Sequence, residues 1–133
     1  MVESANTARI REAIEAFNRH DVEGMLAFLA EDVEWKRVDG LPDESGLIRG
    51  REAVRELLRP MAFETAHLEP LEVVEEGDRA LIHGRFTARG AASGVELQVD
   101  SYTVYFFADG LARRVENWRR REDAERSSGL RLG

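Results

Sequence analysis

Ile10, Ala13, Ile14 and Phe17 recur at spacings of three and four, with Arg9, Arg11, Glu12 and Glu15 between them, which predicts an amphipathic helix over residues 5–19. Asp21 suits the N-cap of a second, shorter helix whose apolar positions are Val22, Met25, Leu26 and Leu29. Val33-Glu34-Trp35-Lys36-Arg37-Val38 then alternates with period two and reads as a short strand. Residues 39–46 hold the Gly, Pro, Asp and Ser of a loop. A third helix follows Gly50, with Val54, Leu57, Leu58 and Met61 as its buried stripe, Glu52–Arg55 and Glu56–Arg59 as surface ion pairs, and Pro60 at its end. From Phe63 onward the pattern is β throughout, broken by Glu76-Gly77-Asp78, by residues 90–94 and by Asp109-Gly110 into a meander of four strands. Helix, helix, strand, helix and then a meander is a segregated α+β layout, with one sheet face free to cover the helices.

Register decides which side chains face those helices. If Gly90 pairs with Gly94, then Arg85 stands opposite Val99, His83 opposite Ser101 and Leu81 opposite Thr103, on the face expected to line a cavity. A slip of one residue would exchange the two faces. Trp35 and Tyr105 fall on strands where inward aromatics would wall such a cavity, and Arg37 shares its strand face with Trp35. A buried Arg37 would need a carboxylate, with Asp100 or Glu116 available, or an anionic ligand. On the last strand a two-residue Asp109-Gly110 turn points Arg114, Glu116 and Trp118 inward, whereas a three-residue loop with a glycine bulge points Arg113, Val115 and Asn117 inward.

Along residues 95–107 the alternation changes character. Val95, Leu97 and Val99 face the core while Glu96, Gln98 and Asp100 face water, but beyond Ser101 the wet face becomes Tyr102, Val104 and Phe106. Joined by Ile82 and Ala80, these form an apolar patch that predicts a homodimer through the outer sheet face. The alternative is that Leu130 and Leu132 of the C-terminal tail fold back over the patch within one chain.

At 133 residues and 43% hydrophobic content the chain suits one domain, with a core over about residues 7–124 and a tail over 125–133. The net charge is −7, although residues 113–133 carry seven arginines against four acids. Those acids interleave with the arginines and few aromatics accompany them, so a solvated strand edge and tail is expected rather than nucleic-acid binding. The absence of cysteine excludes disulfides, thiolate metal sites and cysteine nucleophiles. No run approaches the ~18 apolar residues of a membrane span, and a cytoplasmic location is the default expectation. No compact pairing of His, Asp or Glu has metal-ligand spacing, and no glycine cluster leads a strand into a helix as phosphate loops do, so no cofactor is expected.

Four motifs in order, His20-Asp21-Val22-Glu23, Leu29-Ala30-Glu31-Asp32-Val33-Glu34-Trp35, Arg49-Gly50-Arg51-Glu52-Ala53-Val54 and Phe107-Ala108-Asp109-Gly110, resemble the SnoaL-like and ketosteroid-isomerase-like proteins of the nuclear transport factor 2 superfamily. The resemblance implies a cone-shaped cystatin-like fold, three N-terminal helices packed on a strongly curved antiparallel sheet around a small-molecule cavity. It also favours the bulged last hairpin, with Asn117 inward and Trp118 as the alternative. The catalytic Tyr, Asp and Asp of ketosteroid isomerases correspond here to Ala13, Arg37 and Thr103, and an acid of limonene-epoxide-hydrolase relatives to Asn117, which argues against both mechanisms.

His83 is the candidate proton-transfer residue, since an imidazole titrates near neutrality and Arg85 stands two residues on. The candidate ligand-binding set is Phe17, Trp35, Arg37, Leu57, Met61, Arg85, Ser101, Thr103, Tyr105 and Asn117. The function expected is binding of a mostly apolar small molecule with a polar or anionic end, with metal-free general acid–base chemistry of cyclase, isomerase or hydrolase type. The alternative is a non-catalytic ligand-binding or assembly module on the same fold.

Overall fold

The computed structural model describes residues 4–38, 46–59, 63–90 and 94–133. The 39–45 loop, the Pro60 stop, the candidate Met61 and the 91–93 turn lie outside them. Helix α1 (Ala5–Asn18) begins at Ser4, whose hydroxyl accepts from the Thr7 amide at 3.0 Å, and buries Ile10, Ile14 and Ala16. Helix α2 (Val22–Leu26) is capped as expected, by the Asp21 carboxylate accepting from the Gly24 amide at 3.0 Å. Helix α3 (Arg51–Leu58) follows Gly50, and its Arg55 pairs with Glu52 and with Glu23 of α2.

Strand β1 (Leu29–Lys36) starts four residues before the alternation that announces it, because Leu29 and Ala30 are already buried and Leu29 lies beside Ala112. A short β2 (Leu47–Arg49) pairs with β1, Ile48 against Trp35. The meander consists of β3 (Phe63–Glu76), β4 (Arg79–Gly90), β5 (Glu96–Ala108) and β6 (Leu111–Trp118). Together they form one six-stranded sheet of order β2-β1-β6-β5-β4-β3, antiparallel except where β1 runs parallel to β6. This is the α+β class expected, a helical layer on a largely antiparallel sheet.

The register of β4 on β5 differs by one residue from a Gly90–Gly94 pairing. The Gly90 amide donates to the Val95 carbonyl at 3.0 Å, so Leu81 faces Val104, His83 faces Tyr102 and Arg85 faces Asp100. Side chains alternate with period two, so the shift moves every β4 residue to the face opposite the one assigned from sequence. Ile82, Thr103, Tyr105 and Val115 form an inner face toward α1–α3, where Ile10, Ile14, Leu26 and Val54 close the main core. Leu81, His83, Tyr102 and Val104 form the outer face.

That outer face is not bare. Helix α4 (Arg121–Ser128) and the residues after it fold back over it, burying Ala124, Leu130 and Leu132 against Leu81 and Val104, with Val74, Tyr102, Phe106 and Trp118 at the margin. Gly129, in the left-handed region at φ 76°, turns the chain down onto the sheet. Arg79 Nη1 donates to the Ser128 carbonyl at 2.7 Å, and the Leu132 and Gly133 amides donate to Glu125 and Glu72, each at 2.9 Å. Two expectations are therefore corrected. The segment after residue 120 is a packed helix with apolar anchors rather than a solvated tail, and the patch follows the alternative stated for it: Leu130 and Leu132 fold back within the chain, burying Val104 and partly covering Tyr102 and Phe106, while Ile82 lies on the inner face. The physical reason is that Ala124, Leu130 and Leu132 supply a second small core to a sheet whose strands are apolar on both faces in their central rows.

A polar knot joins this second core to β1. Buried Glu116 accepts from Arg114 Nε at 2.6 Å, from the Trp118 indole at 3.2 Å and from the Ser127 hydroxyl, while Arg114 also reaches Glu34 at 2.9 Å. Lys36, the chain's sole lysine, is buried with its ammonium 3.8 Å from the centroid of the Trp118 ring. Among the described residues no helix is long and apolar enough to cross a membrane.

Leu130→Ala is expected to lower stability by ~2–4 kcal/mol in urea denaturation, because it opens a cavity under a one-sided cover. Leu71→Ala, at a position that is 38% exposed, is expected to stay within ~0.5 kcal/mol. Equal effects would mean that the C-terminal cover is not formed in solution.

Candidate functional site

The last hairpin decides what β6 shows to the helices. Asp109 and Gly110 both have positive φ, 54° and 80°, the geometry of a two-residue type I′ turn, and Phe107 pairs directly with Ala112. The register then shifts, since Phe106 pairs with Arg114, which leaves Arg113 as the extra residue of a bulge. The chain thus combines the two-residue turn of one sequence reading with two of the inward residues of the other, Val115 and Asn117, while the third, Arg113, is exposed in the bulge and pairs with Asp32. Ala112, Val115 and Asn117 face inward, while Arg114, Glu116 and Trp118 face outward.

Asn117 is locked in place. Its Oδ1 accepts from the Thr103 hydroxyl at 3.2 Å, and its Nδ2 donates to the Lys36 carbonyl at 2.9 Å, so one amide spans β5, β6 and β1. The neighbouring inner row runs from Ile48 through Trp35 and Val115 to Tyr105. Tyr105 stacks on Phe107 with centroids 5.7 Å apart and planes at 16°. Desolvation in this apolar setting pushes its phenol up to about 12. On the other side of the polar pair, Ser101 stands opposite Gly84, where an added Cβ would lie 2.9 Å from Leu68 Cδ1 and 3.3 Å from the Ser101 hydroxyl. A glycine suits that position because side chains of the two flanking strands, Leu68 of β3 and Ser101 of β5, close over it.

From the helices, Phe17 packs on Phe86 with ring centroids 6.1 Å apart, and Leu57 is half-buried on α3. The position of α1 over the sheet is set by Asn18, a residue the sequence reading passed over. Its Nδ2 donates to the Leu68 carbonyl at 3.0 Å and its Oδ1 accepts from the Leu68 amide at 2.7 Å, clipping the end of α1 to β3. No periodicity signals such a contact, because Asn18 simply falls in the polar positions of its helix. Phe86 was legible only through the β4 register.

Of the sequence-derived set, the structure gathers Trp35, Ser101, Thr103, Tyr105 and Asn117 on the inner face, with Phe17 and Leu57 on the helices above it. It separates the others. His83 lies on the outer face, its ring stacked on Tyr102 at 4.8 Å and 11°, with Nε2 3.2 Å from Asp100 Oδ2. Arg85 is exposed on that face, 3.7 Å from Asp100, and Arg37 is exposed just past the end of β1. The carboxylates considered as partners for Arg37 are engaged elsewhere, Asp100 with His83 and Arg85, and Glu116 with Arg114. The reason for all three corrections is the register and the end of β1: an alternation that is right for β5 becomes wrong for β4 when the pairing moves by one.

A charged cleft of about 530 Å³, not foreseen from sequence, is lined by Asp32, Glu34, Arg49, Gly50, Arg113 and Arg114. Its arginines are all paired within it: Arg49 and Arg114 reach Glu34 at 2.7 and 2.9 Å, and Arg113 reaches Asp32 at 3.6 Å.

The sequence pattern of the SnoaL-like domain matches residues 10–115. The chain belongs to the SnoaL-like family. Solved structures agree with the assignment. This SnoaL-like chain is 30% identical, with a TM-score of 0.78, to an NTF2-like protein of unknown function from Burkholderia pseudomallei, over 96% of this chain and 100% of that one. It is 26% identical to TerC, solved co-crystallised with polyporic acid, at a TM-score of 0.76 over 94% and 98% of the two chains. It shares the fold, at 15% identity and a TM-score of 0.73, with an LEH-like epoxide hydrolase from Mycobacterium tuberculosis, over 93% and 89%. A comparison of this SnoaL-like chain with curated proteins gives no match.

Because the folded Tyr105 phenol ionises near 12 and an unfolded one near 10, the unfolded chain loses this proton first as pH rises. Stability from this group is intact below about pH 10 and falls between about 10 and 12, by up to ~1.4 kcal/mol per pH unit. Tyr105→Phe is expected to flatten that part of the curve, measured as urea midpoint against pH. An unchanged slope would place the hydroxyl in water.

Proposed function

We propose that this SnoaL-like chain binds a small, largely apolar molecule between the helices and the inner sheet face, with a hydrogen-bonding end of the ligand against Thr103 and Asn117. The observation that carries this reading is that the Thr103–Asn117 pair stands beside an apolar and aromatic row of the inner face that includes Trp35 and Tyr105. Beyond the two bonds it makes, the Asn117 amide retains one N–H and one lone pair, and the Thr103 hydroxyl retains its acceptor lone pairs, so the pair presents a donor and acceptors fixed by the backbone of β1. Such an arrangement, few polar groups on an apolar wall, is how small-molecule sites obtain orientation. TerC, the relative co-crystallised with polyporic acid, is further support for a small organic ligand on this fold.

Of the two functions expected from sequence, the geometry supports the binding module more than the acid–base enzyme. The gathered residues Phe17, Trp35, Leu57, Ser101, Thr103, Tyr105 and Asn117 include no carboxylate and no imidazole. Tyr105 stays protonated until about pH 12, and His83 is on the opposite face. What the inner group offers is recognition and polarisation of a carbonyl or hydroxyl, not a base of matched pKa.

Screening planar aromatic acids, quinones and ketones by thermal shift and Trp fluorescence should find binders. For the best of them, Thr103→Val and Asn117→Ala are each expected to weaken affinity ~10-fold or more, about 1.4 kcal/mol, whereas His83→Ala leaves it unchanged. A ligand indifferent to both inner substitutions and lost on His83→Ala would transfer the site to the outer face.

A further inference from the structure

Side chains of the inner face divide by how far they are sealed. Ala80, Phe107, Ala112 and Val115 are buried, whereas Trp35, Thr103, Tyr105 and Asn117, set among them, are each half-buried. Those four therefore border accessible space in front of the sheet. Tyr105 differs from the other three. Its ring stacks on Phe107 and its ladder neighbours are Ala80 and Val115, none of which has a hydrogen-bond acceptor on its side chain. Two positions back on the same strand face, the Thr103 hydroxyl is committed to Asn117. Among the described residues the Tyr105 phenol makes no hydrogen bond. Burial alone pushes it up to about 12, so the space it borders is screened from bulk water. A buried tyrosine hydroxyl ordinarily has a partner, because an unmet donor carries its full desolvation cost.

We propose that Tyr105 is a specificity-determining residue of the inner-face site: its hydroxyl donates to an uncharged oxygen of the ligand, a second anchor beyond the Thr103–Asn117 pair. The proposal rests on the binding reading above and narrows its ligand class. Thr103 and Tyr105 leave the same strand face two residues apart, about 6.6–6.8 Å along it, so one ring system can offer an oxygen to each. None of the residues gathered on this face carries a positive charge, since Arg37 and Arg85 are exposed elsewhere and the Lys36 ammonium rests over Trp118. A carboxylate would lose its water there without gaining a counter-ion, so the oxygen held is that of a ketone or an alcohol. The expected ligand is a keto-alcohol or a diketone on an apolar ring. A phenylalanine would fill the same place in the wall, so the hydroxyl is a cost to the ligand-free protein that a bound oxygen recovers. Its role is selection rather than catalysis, and its position is distinct from Ala13, which corresponds to the catalytic tyrosine of ketosteroid isomerases.

A matched pair of probes tests this by NMR titration. The native chain is expected to bind 4-hydroxy-1-tetralone ~5–10-fold more tightly than 1-tetralone, which lacks the second oxygen. Tyr105→Phe is expected to reduce that ratio below ~2-fold, whereas Thr103→Val weakens both probes and keeps the ratio. In the ligand-free protein at neutral pH, Tyr105→Phe is expected to hold or raise the thermal midpoint, because it removes a hydroxyl that no protein group satisfies. A native ratio near one, or a ratio that Tyr105→Phe leaves intact, would overturn the role of Tyr105, while the response to Thr103→Val keeps the inner-face site standing. So would a midpoint several degrees lower in Tyr105→Phe, the mark of a structural hydrogen bond. Probes that bind with no response to Thr103→Val would remove the inner-face site and the proposal with it, and failure of both to bind at about 5 mM would remove the keto-alcohol class.

Discussion

The pairing of β4 with β5 is the constraint on which the rest of this structure depends. Both strands are apolar on both faces in their central rows, so neither hydrophobicity nor alternation alone says which face belongs to which core. The register settles it. With Leu81 opposite Val104 and Ile82 opposite Thr103, one set of side chains closes over Ile10, Ile14 and Val54 and the other over Ala124, Leu130 and Leu132. A one-residue slip would bring Ile82 to the outer face and His83 among the helices. The next alignment along the sheet, β6 on β5 and β1, is held by the bulge at Arg113 and by the Asn117 amide that spans the three strands.

Two cores on one sheet give the two faces different jobs. The inner face carries an ordered polar pair in an aromatic setting, which suits recognition of a small molecule. The outer face carries a structural seal, in which a helix with few apolar residues is held by Leu130, Leu132 and the Glu116 cluster. Burial of the Glu116 carboxylate is tolerable because Arg114, the Trp118 indole and Ser127 satisfy it, and loss of any one partner would leave a desolvated charge. The same economy explains the sole lysine, whose ammonium rests over the Trp118 ring with main-chain carbonyls nearby.

Much of the fold was legible in the sequence, because it rests on periodicity. The helical stripe of Ile10, Ile14 and Phe17, the Asp21 cap and the turn residues at Asp109-Gly110 are local signals, and the SnoaL-like motifs arrange them in order. The inward side of β5 was legible for the same reason, which brought Ser101, Thr103 and Tyr105 to the right face. His83 and Arg85 were misplaced because their face depends on a non-local pairing that the sequence states only through a loop of ambiguous length. Helix α4 was missed because Ala124 and Ser128 are small and its surroundings are arginine-rich, so its apolar face is too thin for a periodicity test. Asn18 and Glu116 were missed because a polar residue that bonds across the fold looks, in sequence, like one that faces water.

The central claim is that the ligand-accepting face is the one bearing Thr103 and Asn117, and not the one bearing His83. NMR titration of the labelled protein with any small molecule that binds it measures this directly. The account predicts that the largest shift changes, and intermolecular contacts from the ligand, fall on Trp35, Thr103, Tyr105 and Asn117, with the His83 and Tyr102 rings unmoved. Ligand contacts to the His83 imidazole and Tyr102, with the inner residues silent, would contradict it.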